Sequence, residues 1–205
     1  MAAVITTPED VINVALKRFG YKLRVGSIYE GTPASVMALD VYSQTRDAVL
    51  REGNWDFSNR QAALALLKSA PATGYVPPTT WNPATHPQIP WLFEYTYPED
   101  CLRLKSVRYQ SFGVLNFDPQ PNTYLIANDN SYSPARKVIL CNVPDAIMSY
   151  VGQVTNPATW EPAFVEALAS SLAERLAPGL ANMEAEKVAM VDEQLSTKKA
   201  ERVQG

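Results

Sequence analysis

The chain has 205 residues, of which 46% are hydrophobic and 19% are charged. This length and composition are typical of one folded domain with a small appended lobe, and they exclude a disordered chain. The formal net charge of -3 argues against a basic groove that would neutralise nucleic-acid phosphates tightly. No apolar run approaches the roughly 18 to 20 residues that a membrane span needs, and the N-terminus lacks the features of a secretory signal. We therefore expect a soluble protein.

Two helices are predicted before residue 57. The first has Thr7 as its N-cap, followed by a proline, and its apolar residues recur at helical spacing until Gly20. The second begins at Thr32 and Pro33 and runs to about Gly53. Each helix has one apolar stripe, which must pack against a partner surface.

A proline-rich loop is predicted at 70–90, because its six prolines forbid regular helix or interior strand. A long loop of this kind is usually either functional or disordered when alone. Trp81 lies within it and Trp91 directly follows it. These large aromatic residues indicate that the loop lies against another surface.

Strands dominate the prediction from residue 91 to about residue 154. In the first of them the aromatic Phe93 and Tyr95 alternate with Leu92, Glu94 and Thr96, so one face would be an aromatic row. Short strands joined by tight turns favour an antiparallel meander or a small sandwich. The predicted strands are 91–97, 102–109, 124–127, 137–141 and 147–151.

Two more helices are predicted after residue 156. The third begins near Pro162 and ends at Pro178 and Gly179, and the fourth runs from about Leu180 to Arg202 with a thinner apolar face. This order predicts an α+β fold, a helical bundle of two N-terminal and two C-terminal helices with an inserted antiparallel β-rich region. The predicted parts are 1–57, 58–155 with the proline-rich loop at 70–90, and 156–205.

The sequence offers little enzyme chemistry. Serine and cysteine hydrolases nearly always need a histidine base, and the only histidine, His86, lies in the proline-rich loop, where we expect it to be exposed. Motifs for zinc proteases, nucleotide binding and calcium do not occur. Cys101 and Cys141 have no CxxC spacing and are expected to be reduced core residues. Glu99 and Asp100 could form a glycosidase pair, but such neighbours usually belong to a turn or cap. We expect no catalytic residue, cofactor or metal.

The segment Pro-Glu-Asp-Cys-Leu-Arg at 98–103 resembles the start of the β-region in head-to-tail adaptor proteins of tailed bacteriophages, the tail tubular protein A type. Further segments agree with this family in order, and together the match spans roughly residues 8–180. These segments are the opening helix at 11–19, Leu-Arg-Glu-Gly-Asn-Trp-Asp-Phe at 50–57, then 60–64, 150–157, Trp-Glu-Pro-Ala-Phe at 160–164, and 167–173.

The resemblance implies a structural protein of the virion and not an enzyme. Twelve copies would form a ring at the head-tail junction, with the portal protein above and a tail tube or nozzle protein below. DNA would pass through the channel during ejection without specific binding, and acidic walls would let it slide. The protein would be synthesised in the host cytoplasm and would contact no membrane.

A closed ring requires two different complementary faces on each copy. Trp81 and Trp91 are the candidate contacts with a neighbouring copy, and the alternative is that the loop packs on its own domain. In this family the C-terminal segment typically clasps the portal, and its candidate contact residues are Met190, Val191, Leu195, Lys198, Lys199 and Arg202. Two other functions remain open: a virion enzyme that cleaves peptidoglycan with a carboxylate pair, and an assembly factor that leaves the finished particle.

Overall fold

The computed structural model describes residues 6–72, 75, 80–109 and 123–181. The chain divides into two compact units, one formed by residues 1–57 and 154–205 and the other by residues 58–153. Within the described residues there are three α-helices and seven β-strands. The helices belong to the first unit and the strands to the second.

The first unit begins with two helices, α1 at Pro8–Arg18 and α2 at Pro33–Glu52. Thr7 caps α1, since its hydroxyl accepts the N–H of Asp10 at 3.3 Å while the Asp10 carboxylate accepts the N–H of Thr7 at 3.0 Å. Thr32 caps α2 in the same way through its side chain. Both predicted helices are confirmed, because their start signals are local.

The third helix, α3, occupies residues 162–181 in the described part of the chain. Its predicted end at Pro178 and Gly179 is wrong, because the helix continues through both residues. A Cβ atom on Gly179 would lie 2.1 Å from the terminal methyl of Met37 in α2. Gly179 therefore lets α3 approach α2 closely and does not end the helix. The apolar residues of α3 recur at helical spacing and are buried: Phe164, Leu168, Leu172, Leu176 and Leu180.

An aromatic cluster in the first unit joins the segment after α2 to the start of α3. The ring of Phe164 lies 5.3 Å from Trp55, 5.3 Å from Phe57 and 5.0 Å from Trp160, each in edge-to-face geometry. Both indole N–H groups are satisfied, since Trp55 donates to Val49 O at 2.9 Å and Trp160 donates to the backbone at 3.2 Å. The cluster therefore packs residues that precede the β-rich segment against residues that follow it.

The second unit contains two antiparallel sheets. One sheet has three strands in the order β1-β7-β4, and the other has four strands in the order β2-β3-β6-β5. The strands are β1 Asn59–Ala63, β2 Leu66–Ser69, β3 Phe93–Thr96, β4 Cys101–Tyr109, β5 Tyr124–Asp129, β6 Arg136–Cys141 and β7 Ala146–Gly152.

Both sheets contribute to a common hydrophobic core. Tyr95 of β3 is among its largest members, and its hydroxyl donates to Val143 O at 2.8 Å, which satisfies the buried phenol. Cys101 and Cys141 are buried free thiols in this core, so their prediction as reduced core residues is confirmed. Burial raises the pKa of both thiols.

The predicted fold class is wrong. Three helices and seven strands in two antiparallel sheets make the described chain β-rich, and it is not a four-helix bundle with an inserted β-rich region. β1 and β2 were not predicted, because Asn-Arg-Gln-Ala-Ala in β1 has no β-branched or aromatic residue and depends on its pairing with β7. The fourth helix was predicted from about residue 180 to residue 202. Residues 180 and 181 belong to α3, and the rest of the prediction lies outside the described residues.

Candidate functional site

Three charged side chains form a buried cluster in the four-stranded sheet. Lys68 of β2 is 5% exposed and Glu94 of β3 is 1% exposed, while the Asp129 side chain at the end of β5 is 13% exposed. Charged residues are almost never buried to this extent unless they are paired. We therefore name Lys68, Glu94 and Asp129 the buried charge cluster and treat it as the candidate site.

Strand pairing positions the first two members of the cluster. Lys68 and Glu94 lie directly opposite each other in the antiparallel register of β2 and β3, where cross-strand side chains interact most strongly. Asp129 is fixed by the turn that follows β5, because its carboxylate accepts the N–H of Ser131 at 2.8 Å and the Ser131 hydroxyl at 3.0 Å. The sheet and this turn therefore bring all three charges together.

The ammonium group of Lys68 uses all of its hydrogen-bonding capacity. It donates to Pro83 O at 2.8 Å, to Ser131 Oγ at 2.8 Å and to the Asp129 carboxylate. A lysine ammonium has three N–H groups, so no donor remains for Glu94. Lys68 thereby ties the proline-rich loop to the turn after β5.

Glu94 lies beside this saturated lysine without a hydrogen bond from it. Its Oε1 is 3.5 Å from Lys68 Nζ and is a buried atom without a hydrogen-bond partner among the described residues. The pKa of Glu94 is raised to about 7, mainly by burial and also by a hydrogen bond with Asp129, while the charge of Lys68 lowers it.

Asp129 has the opposite protonation behaviour. Burial alone would raise its pKa, but hydrogen bonds from Lys68 and the Ser131 backbone outweigh burial and lower the pKa to about 2. The pKa of Lys68 is raised, because the hydrogen bond to Asp129 and the charge of Glu94 more than offset its burial. Between pH about 2 and about 7 the pair carries one proton, which therefore resides on Glu94 while Asp129 is ionised against Lys68.

A pocket of about 270 Å³ opens above the buried charge cluster, and all of its lining residues belong to the second unit. The cluster and Ser131 contribute charge and hydrogen-bonding groups to its lining. The other polar lining residues are Gln88, Asn128 and Asn130, together with His86. The pocket therefore presents both donors and acceptors around a buried carboxyl group.

The proline-rich loop forms one wall of this pocket. Asn82 O accepts the N–H groups of Thr85 at 3.1 Å and of His86 at 2.9 Å, and His86 Nδ1 accepts the N–H of Asn82 at 3.2 Å. The indole N–H of Trp81 donates to Pro87 O at 2.7 Å. Residues 80–90 are thus a hydrogen-bonded turn, and His86 is half-buried in it, contrary to the expectation of an exposed residue.

The structure places the predicted contact residues in different surroundings. Trp81 lines the pocket and is 41% exposed, whereas Trp91 is half-buried just before β3. Their contact with a neighbouring copy stays a prediction. The six candidate portal-contact residues lie outside the described residues: Met190, Val191, Leu195, Lys198, Lys199 and Arg202.

Glu99 and Asp100, the adjacent carboxylates before β4, lie in a turn. Asp100 forms an ion pair with Arg60 of β1, and its carboxylate accepts the Tyr150 hydroxyl of β7 at 3.2 Å. The N–H of Cys101 donates to Pro98 O at 3.1 Å, which closes a turn around Glu99 and Asp100. Their interpretation as a turn feature fits this geometry better than a catalytic pair.

The buried charge cluster itself was not identified from the sequence. A glutamate between Phe93 and Tyr95 was the available signal, but alternation placed it on the face opposite the aromatic row, where a charged residue is ordinarily solvated. Within residues 6–72, 75, 80–109 and 123–181, no group of three or more His, Cys, Asp or Glu residues could hold a metal ion. In the same residues no helix is long and apolar enough to cross a membrane.

No protein-family model matches the chain, and no curated protein matches it.

Proposed function

We propose that the protein is a structural head-to-tail adaptor of a tailed bacteriophage. Twelve copies form a ring between the portal and the tail, and DNA passes through the ring during ejection. The observation that supports this most directly is the aromatic cluster around Phe164. It joins two of the segments that resemble the adaptor family, Leu-Arg-Glu-Gly-Asn-Trp-Asp-Phe at 50–57 and Trp-Glu-Pro-Ala-Phe at 160–164.

Three further segments of the resemblance meet in the second unit. Arg60 of β1 contacts Asp100 before β4 and donates to Gln153 O at 3.1 Å after β7. A Cβ atom on Gly152 would lie 2.5 Å from Arg60 Cδ, so glycine leaves room for this side chain. Residues that lie far apart in the sequence thus contact each other through packing and an ion pair, which supports a structural role for these three segments.

Exposed apolar side chains on α2 are suited to contacts between copies. Val36 and Leu39 are both exposed and lie three residues apart, so they share one side of the helix. Exposed apolar pairs at helical spacing suit the apolar centre of a protein interface. In the proposed ring this side of α2 lies against a neighbouring copy.

Copy number in purified virions tests the proposal. We expect about twelve copies per particle, located by electron microscopy between portal and tail, because ring closure requires one copy for each position. The isolated chain is expected to be monomeric in size-exclusion chromatography with light scattering and to assemble only on the portal. Absence from purified particles would refute the adaptor role and favour an assembly factor. Lysis of cell-wall substrate in zymography would favour the enzyme.

A further inference from the structure

One buried carboxyl oxygen in the lining of the pocket has no hydrogen-bond partner among the described residues. Glu94 Oε1 is fully buried and makes no hydrogen bond with the described residues, and the three N–H groups of Lys68 are already used. A buried polar atom without a partner is costly, so native proteins usually satisfy it with a ligand or an ordered water. Because Glu94 lines the pocket, the partner would enter through the pocket.

The charges of the cluster favour a neutral partner. Lys68 and Asp129 are paired with each other, and Glu94 is protonated below pH about 7. Below that pH neither an added anion nor an added cation finds a free countercharge at the base of the pocket. The side chains of Gln88, Asn128 and Asn130 offer both N–H donors and carbonyl acceptors. A ligand with several hydroxyl groups, each a donor and an acceptor, matches this lining.

Trp81 supplies the apolar part of the site. Its indole N–H is held by Pro87 O at 2.7 Å, which fixes the ring, yet 41% of the residue remains exposed beside the pocket. A fixed aromatic ring with its polar edge satisfied presents an apolar face at low entropic cost. The cavity of about 270 Å³ lies just below the usual range of roughly 300–1,000 Å³ for ligand pockets, which suits one small ring.

We propose that this pocket binds one unit of a neutral saccharide, with the sugar ring against Trp81 and a sugar hydroxyl directed at the Glu94 carboxyl group at the base of the pocket. The carboxamides of Gln88 and Asn128 bind the remaining hydroxyls. This is a binding site, and no bond is made or broken in it. The proposal does not rest on the adaptor role, because every lining residue lies within 58–153.

Nuclear magnetic resonance on the full-length ¹⁵N-labelled chain tests the proposal. The four tryptophans give four indole N–H signals, and Trp81→Phe identifies the one from the pocket. The probes are methyl glucoside, methyl galactoside, methyl mannoside and N-acetylglucosamine, with arginine and inorganic phosphate as charged comparators. We expect at least one sugar to shift the Trp81 signal saturably, while the signal of buried Trp160 stays in place.

Substitutions at the pocket separate ligand binding from general effects. Gln88→Ala and Asn128→Ala should each weaken sugar binding several-fold at an unchanged melting temperature. Gln61 is an exposed carboxamide on β1, and Gln61→Ala should leave sugar binding unchanged. Three results would overturn the proposal. The first is no saturable shift with any sugar, which would mean that only an ordered water fills the site. The second is an equal or larger shift with arginine or phosphate. The third is unchanged sugar affinity in both pocket variants.

Discussion

Replacing Glu94 with glutamine should change how the stability of the protein depends on pH. The folded pKa of Glu94 is about 7 against an ordinary value of 4.5, so the folded state binds more protons than the unfolded state between these values. The contribution of Glu94 to stability is therefore fully present below pH 4.5 and is lost as pH rises through about 7. A shift of this size corresponds to about 3 kcal/mol over the whole window.

Glu94→Gln keeps the shape of the protonated side chain and removes its titration. The variant should match the wild-type free energy of unfolding near pH 4.5 and exceed it by up to about 3 kcal/mol above pH 7. Urea unfolding followed by circular dichroism at several pH values measures the difference. Glu99→Gln, an exposed carboxylate outside the cluster, is the matched control and should follow the wild type.

Parallel loss of stability in Glu94→Gln and the wild type as pH rises would show that Glu94 does not titrate in this window. A variant that is less stable than the wild type only above pH 7 would show that ionised Glu94 is stabilised by Lys68 in the folded state. The second carboxyl group acts in a separate window, because the folded pKa of Asp129 is about 2 against an ordinary 3.8. Its contribution is present above pH 3.8 and is lost as pH falls toward 2.

Other perturbations test the remaining parts of the molecule. Phe164→Ala should destabilise the protein by about 3–5 kcal/mol in urea unfolding, because it empties the centre of the aromatic cluster; a loss below about 1 kcal/mol would contradict that packing. Trp81→Ala should reduce ring assembly on the portal while the melting temperature changes little, and equal losses of both would favour a loop that serves only its own domain. Truncation after residue 181, which keeps buried Leu180, should give a folded chain that no longer sediments with portal-filled capsids, and retained binding would place the portal contact elsewhere.

Local signals were sufficient to predict the helix starts and several strands. The capping residues Thr7 and Thr32 act within one turn of the helix, so the sequence shows them directly. Elements that depend on distant partners were missed. β1 is a strand because it pairs with β7, and Pro178 and Gly179 stay helical because α3 packs on α2. Propensity describes a segment alone, whereas tertiary packing decided these cases.

The candidate site could not be read from the sequence for the same reason. Lys68 and Glu94 are paired across β2 and β3, but Asp129 lies on β5 at the opposite edge of the same sheet. Strand order and register therefore do not place Asp129 beside Lys68, and that contact is seen only in the folded chain. Trp81 was chosen because a large aromatic residue in a loop usually has a contact, and it lines the pocket. The shifted pKa of Glu94 could not be anticipated, since it depends on burial and on the saturated hydrogen bonds of Lys68.

The division of the chain also sets an order of events during synthesis. Residues 58–153 are continuous and can fold as soon as they leave the ribosome, whereas α1 and α2 must wait for α3 to complete their unit. About 100 residues separate α2 from α3, so at roughly 5–20 residues per second the wait is on the order of 10 s. During this time α1 and α2 lack their contacts with α3, which include the ion pair of Arg18 with Glu166 and the close approach of Met37 to Gly179. The β-rich segment is therefore expected to be the first part of the nascent chain to resist protease.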